Sequence, residues 1–370
     1  MKNAALLSHI RQLCALGLGG RAIMPALLAA VRELAPSDEA EFTWVDAEGE
    51  VANLYAERLP PEPVLGYYFR RPDEEGGQAF GSRFRALVAQ EEPVTALAAT
   101  EAVRRTDYFR DVLTHLGAEH ALHAVVRRHG RPLGQLTLYR RDRAHPYAAG
   151  ERAAIASISG YLGHGAAEPS AATPAEDRDY ADTDHQAMVI VARDGALRHC
   201  SSAARRLLLY VALESINRGT LAQQHAAIGG VMRRVAAHLR EARPPMPSSN
   251  LLVANRWGRF VLRAHWLTDA SEGDEALIGV QVRRQEPLVL RLSQAMRGLA
   301  LSPQQKEVGL LVAQGRSNPQ IASQLGVTLN TANYHVKQLF AKLNTHERSE
   351  VGPKLLGLAE AGGAPVSALI

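Results

Sequence analysis

The sequence predicts a multidomain chain: two α+β regions followed by an all-α helix-turn-helix domain. Three observations carry that expectation. Residues 1–166 and 185–286 each alternate short β-branched or aromatic runs, joined at tight turns, with helical stripes. Residues 167–184, within GAAEPSAATPAEDRDYADTD, are rich in Ala, Pro and acids without periodicity and read as a linker. Residues 301–370 open with three short helical stripes punctuated by Ser and Gly at helix ends, and residues 287–300 read as a helix leading into them.

In the first region, Met24, Leu27, Leu28, Val31 and Leu34 form a helical stripe that stops before Pro36-Ser37. Phe42–Val45, the turn Asp46-Ala47-Glu48-Gly49 and Val51–Tyr55 read as strand, turn and strand. Helical pieces follow around Phe84–Val88 and Tyr108–Leu116. A second hairpin joins Ala121–Val126 to Leu133–Tyr139 through Arg128-His129-Gly130-Arg131, and a helix over Ala148–Leu162 closes the region. Helix, hairpin, irregular middle, hairpin, helix resembles the GAF sensory fold. Trp44, Tyr55, Tyr67, Tyr68 and Phe69 are the candidate lining of an apolar pocket for a small-molecule ligand there, against the ordinary role of such aromatics as core.

The second region begins with Met188–Val191, a turn at Arg193-Asp194-Gly195 and a strand at Leu197–Cys200. Ser201-Ser202 then caps a helix running to Leu208. Leu251–Ala254, a turn at Asn255–Gly258, Phe260–Trp266 and Ala276–Val282 supply closing strands. This order resembles a PAS domain. The amphipathic helix Leu288–Leu299 is expected to serve as a dimerisation and signal-transmission element.

The most specific signal is LSPQQKEVGLLVAQGRSNPQIASQLGVTLNTANYHVKQLFAKLNTHERSEV, Leu301 to Val351. Ser302 before Pro303, with Gln305 three residues on, places an N-cap, an N1 proline and a capping-box partner in register. Gly315 ends that helix, Asn318 or Ser317 caps a second around Ile321, Ala322 and Leu325, and Gly326 stops it. In the third helix Ala332, Val336, Leu339 and Leu343 make an inner stripe. The opposite face carries Asn330, Asn333, Tyr334, Lys337, Gln338 and Ala341, and no carboxylate occurs between Leu325 and Thr345. Amides can pair with adenine edges and Lys with guanine edges or phosphates, so this face suits DNA. Ser317, Asn318, Thr328, Asn330, Thr331, Asn333, Tyr334, Lys337, Gln338 and Lys342 are the expected DNA contacts.

This segment resembles the DNA-binding domain of LuxR-type transcription regulators, which reads L-(S/T)-x-R-E-x-E-V-L, then G-x-S-N-K-E-I-A, T-V-K-x-H-V and a closing K-L. Leu301, Ser302, Glu307, Val308, Gly315, Ser317, Asn318, Ile321, Ala322, Leu325, Thr331, His335, Val336, Lys342, Leu343 and Arg348 match. Gln304-Gln305 replace the usual Arg-Glu, Pro319 and Asn333 each stand where Lys is common, and Ala332 replaces Val. Losing the cation at position 333 should weaken the salt-dependent phosphate attraction and leave Lys337 as the main charge on the helix. The resemblance implies a sequence-specific transcription regulator, a homodimer on a two-fold operator in double-stranded DNA, with RNA polymerase a further partner. The alternatives are a protein–protein regulator with a vestigial head and, less favoured, an acyl-homoserine-lactone receptor, for which the W-x-Y pattern is missing.

Composition bounds the rest. The chain has 370 residues, a net charge of +4 and 46% hydrophobic residues, too mild a charge for a nonspecific nucleic-acid coater. Four of its five lysines lie beyond residue 300, so the first 300 residues lack the Lys that a receiver domain would need. Two cysteines, Cys14 and Cys200, give no disulfide framework, and no apolar run approaches a membrane span, so a cytoplasmic protein without a membrane partner is expected. Glu119, His120, His123 and His115 lack a completing ligand for a metal, and His199-Cys200 reads as an ordinary strand end. Gly76-Gly77 and Gly229-Gly230 lack the Lys and Ser/Thr of a phosphate loop, and there is no nucleophile elbow. No enzymatic activity, metal or cofactor is expected.

Overall fold

The computed structural model describes residues 2–70, 79–90, 92–168, 179–241, 248–267 and 277–362. Two antiparallel five-stranded sheets, each with helices on it, precede a helical C-terminal unit.

The first region contains α1 (Lys2–Ala15), α2 (Gly20–Leu34), β1 (Glu39–Val45), β2 (Val51–Ala56), α3 (Glu62–Phe69), α4 (Phe80–Val88), β3 (Val94–Ala98) and α5 (Glu101–Arg104). A π turn at Phe109–Leu113, α6 (Thr114–Leu116), β4 (His120–Arg128), β5 (Arg131–Arg140) and α7 (Ala149–Gly165) complete it. The strand order is β2-β1-β5-β4-β3. Strand alternation sends Phe42, Trp44, Leu122, Ala124, Leu136 and Leu138 to the face under α1, α2 and α7. α7 can lie that close to β4 because Gly163 has no side chain: a Cβ there would sit 2.0 Å from the Arg127 carbonyl oxygen. The opposite face lies under α3, α4 and the π turn, whose Tyr67, Tyr68, Phe80, Phe84, Tyr108 and Val112 form a second core.

The second region contains β6 (Tyr180–Ala192), β7 (Leu197–Cys200), α8 (Ser202–Ala212), α9 (Arg218–Ala222), α10 (Gln224–Glu241), β8 (Ser248–Asn255), β9 (Gly258–Leu267) and β10 (Leu277–Pro287), with strand order β7-β6-β10-β9-β8. Val189, Val191, Leu262, Ala264, Ile278 and Val280 face α8 and α10. β6 starts earlier than the sequence reading placed it. Residues 180–184, read as linker, are strand, with Tyr180 opposite Pro287 and Asp182 opposite Gln285. The acids that suggested a loop are cross-strand partners: Asp182 accepts from Arg283 Nη1 and Gln285 Nε2, both at 2.7 Å. Residues 169–178 of the expected linker, Gly76-Gly77 and the tail beyond residue 362 lie outside the described residues.

The two sheet regions share one core. Trp257, 1% exposed, packs 4.7 Å from the Tyr210 ring, 6.0 Å from Tyr55 and 6.3 Å from Trp44. Polar contacts cross the same seam: the Ile216 amide donates to Asn53 Oδ1 at 2.7 Å, and Arg284 Nη2 to the Ala22 carbonyl at 3.3 Å.

The C-terminal unit contains α11 (Leu288–Ala295), a 3-10 turn at Met296–Gly298, α12 (Pro303–Ala313), α13 (Asn318–Leu325), α14 (Leu329–Leu343) and α15 (Arg348–Gly362). The helix expected over 288–299 is shorter than its sequence pattern and already packed. It ends at Ala295, and its apolar side is already occupied: Leu290 joins the large core, while Leu292 and Met296 join the core of the C-terminal unit. It is an internal strut in this chain, packed on α15, α12, β10 and α1. Beside it, both Arg297 guanidinium nitrogens donate to the Glu33 carboxylate on α2. His9 of α1 is buried there; burial and the charges of Arg297 and Lys306 lower its pKa to about 4.

Candidate nucleic-acid interface

Three helices of the C-terminal unit, α12, α13 and α14, start on side-chain caps. Ser302 Oγ accepts from the Gln305 amide at 3.2 Å while Gln305 Oε1 accepts from the Ser302 amide at 3.0 Å. Ser317 and Gln320 repeat the arrangement on α13, and Thr328 Oγ1 accepts from the Thr331 amide on α14. Gly326 and Asn344, with φ of 65° and 50°, close α13 and α14 in the left-handed conformation that frees the helix end. Ala332, Val336, Leu339 and Leu343 are buried against Val308, Leu311, Ile321, Val351 and Leu355. The inner stripe read from spacing is therefore the core.

That packing fixes what faces outward. Asn330, Asn333, Tyr334, Lys337 and Ala341 are exposed, and at 100° per residue they share an arc of roughly 100° along three turns of α14. Tyr334 is 59% exposed, unusual for a ring this large. Gln338 and Thr331 are half-buried at the edges. Lys342 stands apart from the other named residues. It lies about 140° around the helix from Lys337, and its Nζ donates to the Ala300 carbonyl at 2.6 Å and Gln305 Oε1 at 2.9 Å. It ties α14 to the start of α12. Ser317 and Thr328 are helix caps, and the Thr331 hydroxyl lies 2.8 Å from that of Thr328.

Asn318 and Asn333, fifteen residues apart, are joined: Asn318 Nδ2 donates to Asn333 Oδ1 at 2.7 Å. Arg348 of α15 completes the chain, donating from Nη2 to Asn318 Oδ1 and from Nη1 to the Arg316 carbonyl. Arg348 was legible only as a motif match; spacing alone carries no sign that it reaches back thirty residues.

The five aromatics named as one pocket lining do not line one pocket. Trp44 and Tyr55 belong to the seam with the second region, and Trp44 Nε1 donates to the Ala166 carbonyl at 2.8 Å. Tyr67 and Tyr68 lie on the other side of the sheet among Phe80, Phe84 and Tyr108, and half-buried Phe69 packs at the edge of both cores. Trp44 and Tyr55 are strand residues facing one side of the sheet, whereas Tyr67, Tyr68 and Phe69 belong to α3, which packs on the other.

What that second side holds is a polar row that the sequence reading missed. Glu41 and Thr43 of β1, Gln135 and Thr137 of β5 and His123 of β4 are each at most 3% exposed. Glu41 accepts from the Tyr139 hydroxyl at 2.6 Å and from Tyr68, and burial raises its pKa to about 8. Burial, then Arg83, holds His123 well below its usual value; its Nδ1 lies 3.0 Å from Gln135 Nε2. Thr43 Oγ1, Tyr67 Oη and His123 Nε2 have no hydrogen-bond partner among the described residues. Glu41 and Tyr139 also line a cleft of about 190 Å³ rimmed by Glu39, Arg58, His115 and Arg141. The histidines weighed as metal ligands diverge: His120, three positions from His123 on β4, meets the Arg143 carbonyl at 3.1 Å. Among the described residues no three His, Cys, Asp or Glu side chains gather as a metal site, and no helix is long and apolar enough to cross a membrane. Cys14 is buried, its thiol pushed up to about 12, whereas Cys200 is half-buried.

Comparison with known proteins bears on the C-terminal unit. Residues 299–352 match the family model of bacterial regulatory proteins, luxR family (GerE). The two-component response regulator PprB of Pseudomonas aeruginosa is 41% identical over 51 residues, 14% of this chain and 18% of PprB, so the chain spans less than a fifth of that relative's length. Among solved structures, a Vibrio cholera VqmA–ligand–DNA complex is 13% identical over 49% of this chain and 84% of that chain, with a TM-score of 0.25. A phage VqmA–DPO complex is 16% identical over 50% and 88%, TM-score 0.19. The sensor region of a sensor histidine kinase is 14% identical over 70% and 90%, TM-score 0.18. Likenesses this loose carry no argument about the fold. The C-terminal helices are a LuxR-family helix-turn-helix domain.

Proposed function

We propose that this chain is a sequence-specific transcription regulator whose α14 lies in the major groove of a two-fold operator as part of a homodimer. The observation that carries the reading is the outer face of α14. Amides, a phenol and one lysine stand exposed on a helix whose opposite stripe is locked into the domain core, and no carboxylate opposes the phosphates. Asn330, Asn333, Tyr334, Lys337 and Gln338 form the reading set. The N-termini of α13 and α14, capped by Ser317 and Thr328, offer backbone N–H groups to phosphates.

The first region is GAF-like, its sheet held between α1, α2 and α7 on one side and α3 and α4 on the other. The second is PAS-like, and the boundary between them falls before β6. Signal control through the first region is supported by the buried polar row and the cleft at Glu41, because polar groups are costly to keep inside a core that needs none.

Footprinting on the DNA upstream of the chain's own gene, at two salt concentrations, tests the reading. We expect a protected two-fold site whose affinity falls with salt. Lys337→Ala should weaken binding at least about tenfold per head while leaving helical content unchanged, since Lys337 is exposed and touches no core residue. Unchanged binding would mean that another face meets the DNA; no specific binding by the parent would reduce the head to a vestige.

A further inference from the structure

We propose that Asn333 reads DNA as a hydrogen-bond donor only, its amide polarised by a relay from Arg348 through Asn318, so that the head selects a guanine or thymine edge at that position and rejects cytosine. The proposal rests on the DNA-binding reading above and adds the sign of one contact.

A carboxamide can ordinarily present either its oxygen or its NH2, and an amide in isolation cannot be assigned. Here the first member of the chain removes the ambiguity. A guanidinium has five donors and no acceptor. The Asn318 atom facing Arg348 must therefore be its carbonyl oxygen, which puts the Asn318 NH2 on the other side, toward α14. The Asn333 atom that receives it, 2.7 Å away, must then be Oδ1. Asn333 Nδ2 is left on the exposed side of the helix, without a partner among the described residues. Arg348 is itself held by its second donor bond, to the Arg316 carbonyl, so the start of the relay is fixed at two points.

The consequence for readout is specific. Pairing an asparagine bidentately with adenine needs both ends of the amide, one accepting from N6 and one donating to N7. With Oδ1 turned toward Asn318 and Nδ2 left on the exposed side, Asn333 does not present both ends of its amide to one adenine. Guanine offers N7 and O6, two adjacent acceptors; thymine offers O4; cytosine offers only its N4 donor and would meet donor with donor. Position 333, where related heads carry Lys, thus keeps a donor without the charge. The expected loss is in the salt-dependent attraction, not in the sense of the base contact.

Selection from a randomised operator pool, followed by sequencing, tests this. The base pair read by Asn333 is the one whose preference disappears in Asn333→Ala. At that pair the parent should favour guanine or thymine over cytosine by about tenfold or more. Asn318→Asp is the decisive variant. Its carboxylate still satisfies Arg348 but can no longer donate, so the Asn333 amide turns to donate inward and shows its oxygen to the groove. The preference should then move to cytosine or adenine, whose edges carry donors. A purely structural role for Asn318, or a phosphate contact by Asn333, would lower affinity for all sequences alike without moving the preferred base. That result, or adenine preferred by the parent, would overturn the relay while leaving DNA binding itself intact.

Discussion

The outer face of α14 and the inner face of the first sheet use nearly the same side chains to opposite effect. Both are rows of amides and hydroxyls with one or two titratable groups. On α14 the row is in water, so Asn330, Tyr334 and Lys337 cost nothing to keep unpaired, and the single internal relay serves to orient Asn333. Under α3 and α4 the row is dry. Glu41 is driven toward its neutral form, His123 is held neutral, and three polar atoms have no partner. An exposed polar row is free to be read by a partner; a buried one destabilises the fold unless something compensates it.

The largest effect that would break this contrast is a pH dependence centred on Glu41. Its folded pKa, about 8, lies above the ordinary 4.5. The unfolded chain releases the proton above about 4.5, while the folded chain retains it up to about 8. Stability present at pH 4.5 is therefore lost progressively up to pH 8, by roughly 4–5 kcal/mol in all. Glu41→Gln keeps an acceptor for Tyr139 but cannot ionise. Denaturant unfolding at pH 5, 6.5 and 8 should show the variant gaining on the parent at each step. Parallel curves would mean that Glu41 is solvated and the polar row is not dry. Buried His9, lowered to about 4, works in the reverse sense and cancels in the difference between the two proteins.

How much of this contrast could be read from the sequence follows from the range of each interaction. Caps, glycine stops and the inner stripe of α14 are contacts within four residues, so Ser302, Ser317, Gly326 and Leu339 were legible. The buried row was not. Glu41, Thr137 and His123 are neighbours only through the β1–β5–β4 register, and a lone Glu in Glu39-Ala40-Glu41 looks like a solvated strand position. The aromatics misled for a similar reason: Trp44 is on β1 and Tyr68 on α3, and only the tertiary fold sets α3 on the opposite face of the sheet. α10 is absent from the sequence reading although Ile228, Val231, Met232, Val235 and Leu239 repeat at helical spacing. The strut α11 was legible as an amphipathic helix, but amphipathicity shows that a face will be buried and not by what.

A smaller effect tests the exposed side of the comparison. Ser317→Ala removes the cap of α13 and loosens the helix that carries Asn318. A loss of about 1 kcal/mol in unfolding free energy is expected, because the Gln320 amide loses its acceptor. Unfolding followed by circular dichroism suffices. A loss of several kcal/mol would show that the N-terminus of α13 is coupled to the whole relay and not to one bond.

The smallest effect concerns how the two rows are connected. Arg297 and Glu33 join the helical head to α2 through paired hydrogen bonds, the kind of contact that suggests a strong latch. Its side chains are 36% and 45% exposed, however, and exposed ion pairs contribute only about 0.2–1 kcal/mol. The docking must come mainly from apolar packing, with Leu16 of the first region against the core that holds Leu292 and Met296. Arg297→Ala should therefore shift unfolding by less than about 1 kcal/mol, and less still at high salt, while Met296→Ala costs about 2–5 kcal/mol. His9 adds a second effect of opposite sign. Removing that guanidinium relieves a charge that keeps His9 neutral and leaves Glu33 as its only near counter-charge. The two effects separate by pH: a lost ion pair is indifferent between pH 5 and 7, whereas a His9 free to protonate makes the variant recover stability at the lower value.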